Sequence, residues 1–296
     1  MGAIYISIIM LCRVVQHLCT KKTSNQMSGT LCFFKYSAYR QLLSAAFGLA
    51  LLLIACNGFR CDFATAAISV FSGIMLVAAS GFSLTILKSG TVALSSLFAT
   101  AGILVPCIAG IFLFDTPMSA GQWVGILLFF VAAYFLITSS AKIYSGFSLR
   151  TFLLLIGLML SEGLTMLAQQ MFSFYVPDGD VTVFSFLSFG IVGVCMLLLS
   201  VFQSNRSGNE NAGQAKLTPS LLLLGAALSA AVFVINQLAT LATALVPPAV
   251  LFTFINGGST IIGAIVAALF FREKLTVRST IGIVLGVFAL VIIKIM

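Results

Sequence analysis

Glu162 stands inside the apolar run LLLIGLMLSEGLTMLAQQ (residues 153–170), and Arg13 is its basic counterpart in ISIIMLCRVVQH (residues 6–17). A charge in the middle of an apolar span costs on the order of 3 kcal/mol on insertion scales, so a residue of this kind is expected to have a use. Two uses fit. A lone carboxyl group at depth suits proton exchange or the neutralising of a cationic group on a solute. Alternatively, Arg13 and Glu162 form a buried ion pair that holds two parts of the chain together. The other acids, Asp62, Asp115, Asp178, Asp180, Glu210 and Glu273, fall in or beside polar connections, which leaves Glu162 alone at depth.

Gln16, His17, Gln169, Gln170, Asn236, Gln237 and Asn256 add uncharged hydrogen-bonding groups inside similar runs. Each either bonds a neighbouring helix or meets a solute, and both readings stand for Asn236, Gln237 and Asn256. His17, close to Lys21 and Lys22, reads as a side chain that reaches toward the interface or is hydrogen-bonded near it. The candidate solute-binding or coupling residues of this kind are Glu162, Arg13, Gln16, Gln169, Asn236, Gln237 and Asn256. Other chemistry is poorly provided for. One histidine and one deep carboxylate supply neither a nucleophile with its base nor paired acids, so no enzyme is expected. No G-x-x-x-x-G-K-[ST] string is present for a nucleotide, and the seven cysteines, mostly inside apolar runs, have no C-x-x-C pair or zinc spacing. Neither a metal nor a cofactor is expected.

The elements that must position these residues follow from composition. A chain of 296 residues that is 60% hydrophobic and 7% charged has too little polar surface to clothe a soluble core, and it is read as an integral membrane protein whose surroundings are the lipid bilayer. Lipid offers backbone groups no partners, and apolar runs of about twenty residues span it as helices. About ten spans are expected, near 2–19, 38–56, 64–87, 91–113, 119–138, 150–174, 181–203, 219–243, 247–271 and 277–295. Positive charge follows the first apolar run, so that run reads as a span and not as a cleaved signal. The stretch 203–219, QSNRSGNENAGQAKLTP, is a polar loop within the second half.

Residues 246–296 read as a helix, a charged turn at Arg272-Glu273-Lys274 and a second helix opening at Thr276, and residues 89–138 lie beneath them without a gap at an offset of 157. That register sets Gly125 on Gly282 and Pro106 on Gly263. The chain is therefore divided into a first five-helix repeat, 1–143, and a second, 144–296. An odd number of spans per repeat inserts the halves in opposite orientation, and interrupted spans at corresponding positions of such halves mark a midplane site. Spans four and nine fit, with Gly102 and Pro106 in one and Asn256, Gly257, Gly258, Ser259 and Gly263 in the other. Pro106, Gly258 and Gly263 thus join the candidate site residues. The competing reading is that the small residues only let helices approach, which is also the reading of Gly121-xxx-Gly125 and Gly282-xxx-Gly286.

The string FFREKLTVRSTIGIVLGVFALVII, after a glycine-rich span, resembles the C-terminal signature of EamA-type transporters of the drug/metabolite transporter superfamily, through Glu273, Lys274, Thr276 and Gly282. FDTPMSAGQWVGI in the first half is similar, except that Thr116 stands where the pattern has the acid, with Asp115 one residue earlier. The resemblance implies an all-α integral membrane fold of ten helices in two inverted repeats. It also implies a carrier of small organic metabolites or drugs, often an exporter. Proton coupling and a monomer or homodimer are expected here, in a bacterial inner membrane, with an internal eukaryotic membrane physically open as well. A channel or a non-transporting membrane assembly protein is the alternative. The net charge of +8 reads as a topology signal and not as a nucleic-acid surface. Loops after odd-numbered spans, the first counted with Lys21, Lys22, Lys35 and Arg40, carry +10 and the others −3, which puts the odd loops in the cytoplasm and both termini outside, whereas the family is drawn with both termini inside.

Overall fold

The computed structural model describes residues 1–24, 26–27, 29–55, 59–88, 92–115, 118–138, 149–207, 217–271 and 276–295. The expected repeat boundary at 143/144, the acidic turn at 272–274 and most of the polar loop 203–219 lie outside the described residues. Among the described residues every regular element is helical: α1 (Gly2–Ser24), α2 (Gly29–Ala55), α3 (Phe63–Lys88), α4 (Val92–Ala101), α5 (Leu104–Leu113), α6 (Ala120–Thr138), α7 (Leu149–Tyr175), α8 (Val181–Ser207), α9 (Pro219–Thr243), α10 (Pro248–Phe252), a π-helical turn (Thr253–Gly257), α11 (Gly258–Phe271) and α12 (Val277–Ile295).

The helix starts are written in the sequence. Thr218 caps α9 by accepting from Leu221 N–H, with Pro219 in the first turn, where a missing N–H costs nothing. Ser119 and Gln122 bond reciprocally at the start of α6, a capping box. Asp62, Asp180 and Thr276 accept backbone N–H groups at the starts of α3, α8 and α12.

Seven helical runs among the described residues are long and apolar enough to cross a membrane: α1, α2, α3, α7, α8, α9 and the stretch from Pro248 to Phe270. Three more, Phe98–Leu113, Ala120–Phe135 and Val277–Ile293, are apolar but shorter. Large apolar side chains such as Leu53, Ile54, Leu127, Leu198, Leu223 and Phe288 face outward, as a lipid solvent allows. The chain is an all-α, multi-pass integral membrane protein.

The helices lie near the expected spans, with one correction. The second begins at Gly29 and not near 38, so Arg40, counted among the loop charges, is the twelfth residue of α2, about 17 Å along it at 1.5 Å per residue. The reason is a polar stripe: Ser37, Gln41, Ser44 and Gly48 are buried at helical spacing, so the polar start of α2 turns inward instead of ending the helix.

Both glycine-bearing spans are interrupted. Pro106 has no N–H for the carbonyl of Gly102, and that oxygen accepts from Val105 at 3.0 Å, which tightens the chain between α4 and α5. In the later span the π-helical turn separates α10 from α11 and carries Asn256. The most extensive packing joins α2 to α8, α6 to α12, α3 to α7 and α1 to α9. The main apolar core gathers Ile9, Ile103, Phe129, Phe252, Ile255 and Ile293 from elements at both ends of the chain.

Candidate functional site

Arg13 is the central residue of α1 and Glu162 the central residue of α7. Both line a cavity of about 260 Å³ whose wall is completed by α2, α3, α8, α9, α10 and the π-helical turn. Its polar lining is Arg13, Gln16, Arg40, Gln41, Ser80, Glu162, Thr165, Gln169, Asn236 and Asn256, and its apolar lining includes Phe189, Ile235 and Phe252. Its mixed lining matches a small-molecule pocket better than a packing defect, because voids left by imperfect packing are lined by apolar atoms.

The hydrogen bonds sort these side chains into spent and unspent. Gln169 donates to Asn236 Oδ1 at 2.6 Å, Asn236 donates to Ser185 Oγ at 2.9 Å, Ser185 donates to Gln237 Oε1 at 2.7 Å, and Gln237 donates to Thr182 Oγ1 at 3.0 Å. This chain ties α7, α8 and α9 into one rigid wall, with Asn236 and Gln169 at its cavity end. By contrast, among the described residues Arg13 donates only through Nη1, to Gln16 Oε1 on its own helix at 2.8 Å, and its buried Nε has no partner. Arg13 and Glu162 are electrostatic neighbours, yet no hydrogen bond reaches Glu162 among the described residues. The ion-pair reading therefore has proximity without contact. Gln41 is only 4% exposed, and among the described residues its Oε1 is unpartnered. Asn256 donates to the Phe252 carbonyl at 3.3 Å and approaches the Met166 sulfur at 3.5 Å, weak partners for an amide.

Of the residues singled out from sequence, Glu162, Arg13, Gln16, Gln169, Asn236 and Asn256 come together around the cavity. Gln237, 9% exposed, is outside it and spends both ends of its amide on α8. Gly258 and Gly263 also lie outside: a β-carbon on the first would meet the Met10 sulfur and on the second the His17 ring, so these two seat α1 on α11. His17 is fixed there by Ser259 Oγ at 2.9 Å. Pro106 is buried in the first turn of α5 and does not line the cavity. The Gly102 carbonyl at that break lies against Gly163, the residue next to Glu162, with no room for a side chain on either glycine. Gln170 borders a second cavity of about 440 Å³ at the ends of α5, α7 and α9.

Arg40, Gln41, Ser80 and Thr165 were not foreseen from sequence. The available signal was the stripe Ser37, Gln41, Ser44, Gly48, which is helical in period and continues an apolar stretch on both sides.

No protein-family model matches the chain, and no curated protein does. Among solved structures 28 chains match. One, described only as "Crystal structure of protein", superposes with a TM-score of 0.80 over 99% of this chain and 96% of its own length, at 14% sequence identity. At that identity the likeness is one of fold.

Proposed function

We propose that this chain is a secondary carrier of small organic metabolites in a bacterial inner membrane, built as two inverted five-helix repeats of the EamA type, with its solute site in the cavity around Arg13, Arg40 and Glu162. The observation that carries the reading is the cavity itself: charged and amide side chains, several without partners, gathered at mid-helix in a protein whose outer surface is apolar. The packing supports the repeat. Exchanging the first five spans with the second five maps α2–α8 and α6–α12 onto themselves, and α1–α9 onto α3–α7. The bounds of α6, Ala120–Thr138, match those of α12, Val277–Ile295, at the sequence offset of 157, and both helices have 19 residues. Arg13 and Glu162, the centres of α1 and α7, then stand at equivalent places in the two halves.

In such a carrier the halves rock about the fixed site, and the breaks at Gly102–Pro106 and Thr253–Gly257 are where the backbone yields. Glu162 is the group we assign to proton coupling. The test is transport by purified protein in sealed vesicles. Saturable uptake and counterflow are expected, and Glu162→Gln should keep exchange while losing accumulation driven by a pH gradient. Flux that neither saturates nor exchanges would identify a channel. A stable protein partner with no solute movement would identify an assembly protein, and full pH-driven accumulation by the variant would remove Glu162 from coupling.

A further inference from the structure

The charges of the cavity do not balance, and the imbalance is local. Its lining holds two guanidinium groups and one carboxylate. Arg13 has Glu162 as its acidic neighbour and Gln16 as its acceptor. Arg40, in the middle of α2, has neither: among the described residues its guanidinium makes no hydrogen bond and faces no carboxylate, its electrostatic neighbour being the neutral Tyr36 phenol. What surrounds the Arg40 backbone is rigid, since its carbonyl accepts from both Ser44 and Ser229 at 3.1 and 2.8 Å and so pins α2 to α9. Next to it Gln41, 4% exposed, lines the same cavity with an Oε1 that accepts no hydrogen bond among the described residues. A five-donor fork carried on a pinned stretch of backbone and an idle acceptor on the next residue describe the complement of a molecule that carries an oxyanion and a hydrogen-bond donor.

We propose that the cavity binds a small organic anion, its carboxylate anchored on Arg40 and a neighbouring hydroxyl or amine hydrogen given to Gln41. This rests on the reading of the cavity as a solute site and names the class of solute. The apolar wall of Phe189, Ile235 and Phe252 accommodates a carbon skeleton, and the net single positive charge of the lining is neutralised by a monoanion. Glu162 opposes the anion in its charged form, which gives it a means of timing release without touching the carboxylate.

Binding to the purified protein in detergent tests the assignment independently of transport. Two isosteric sets serve as probes: lactate, lactamide and 1-amino-2-propanol, and mandelate, mandelamide and 2-amino-1-phenylethanol. Within at least one set the acid should bind at least tenfold more tightly than the amide and the amine. Arg40→Gln should erase that preference, Arg40→Lys should restore part of it, and Glu162→Gln should tighten acid binding severalfold. An amide or amine that binds as well as its acid overturns the proposal, as does the absence of acid binding at 10 mM in both sets. Should Arg40→Gln fail to fold, the comparison of acid, amide and amine on the unmodified protein decides alone. The two readings fail separately. Acid binding without saturable exchange in vesicles sinks the carrier and keeps the anion site, whereas exchange confined to amines or amides sinks the anion site and keeps the carrier.

Discussion

The seam between α6 and α12 and the cavity between α1, α2, α7 and α9 are made from opposite materials. Along the seam Gly125 lies directly beneath Ile293 and Ala289, and Ala132, Ala133, Phe129 and Ile126 are buried with them. Around the cavity arginine, glutamate, glutamine and asparagine stand among apolar side chains, with buried donors and acceptors left over among the described residues. Helices in lipid adhere well through small residues and close backbone approach, so polarity is not needed for cohesion. Polar groups retained at depth and left unspent call for a different explanation, and the simplest is a solute that spends them. The wall formed by Gln169, Asn236, Ser185, Gln237 and Thr182 lies between these extremes, being polar but closed on itself.

The sharpest break of this comparison is Gly125→Leu. A side chain at this position has to enter space held by Ile293 of α12, and overpacking of that kind costs about 3 kcal/mol or more. The variant is expected to extract poorly from membranes and to elute as aggregate, while Glu162→Gln, at a site with spare room, elutes as the unmodified protein does. Equal yields of the two would mean that the seam is as tolerant as the cavity.

Gln237→Leu comes next. It strips partners from Ser185 and Thr182 and opens the closed polar wall, at about 1–2 kcal/mol given the modest worth of hydrogen bonds between membrane helices. The melting temperature should fall, and affinity for solute should fall only as the wall loosens. Asn256→Ala should do the reverse: its amide has weak partners, so stability changes by less than about 1 kcal/mol, while uptake drops tenfold or more if the residue meets solute from the π-helical turn. A melting shift in Asn256→Ala as large as that of Gln237→Leu would assign both residues to cohesion.

These contrasts also mark what could be read in the sequence. Long apolar runs made the helices legible, because lipid admits few other solutions, and Glu162 and Arg13 were legible because a charge in such a run is costly. Arg40 was not. The start of α2 carries Lys35, Tyr36, Ser37 and Tyr39, and by average polarity it looks like a loop. Only the direction of the stripe, inward, distinguishes a cavity-lining helix from a connection, and direction requires the neighbours α8 and α9. Gly258 and Gly263 illustrate the converse. Small residues announce a close approach without saying what approaches, and here it is Met10 and His17 of α1. Gln237 and its neighbour Asn236 have the same polarity in sequence, yet one ends at the cavity and the other in the wall.

The smallest effect lies outside both regions, at Asp62, where α3 begins. Its carboxylate accepts the Thr65 N–H at 3.2 Å, and the Thr65 side chain together with the helix-start N–H groups holds its proton affinity below the usual carboxylate range. The sign follows from that depression. A carboxyl group that binds its proton less readily when folded stabilises the fold at pH values above its unfolded value, near 3.9, and this contribution is lost as the pH falls through the lower, folded value. The group is fully exposed, so the effect is expected to be slight and to weaken further in salt. Asp62→Asn keeps an oxygen for the Thr65 N–H and removes the titration. Melting temperatures of the two proteins, compared from pH 7 down to about pH 3, should therefore converge toward the acid end, with the unmodified protein higher above it. A gap that stays constant with pH would mean that Asp62 caps α3 by shape alone. A gap that widens in acid would mean that the carboxyl group is stabilised in its protonated form, contrary to the hydrogen bonds that surround it.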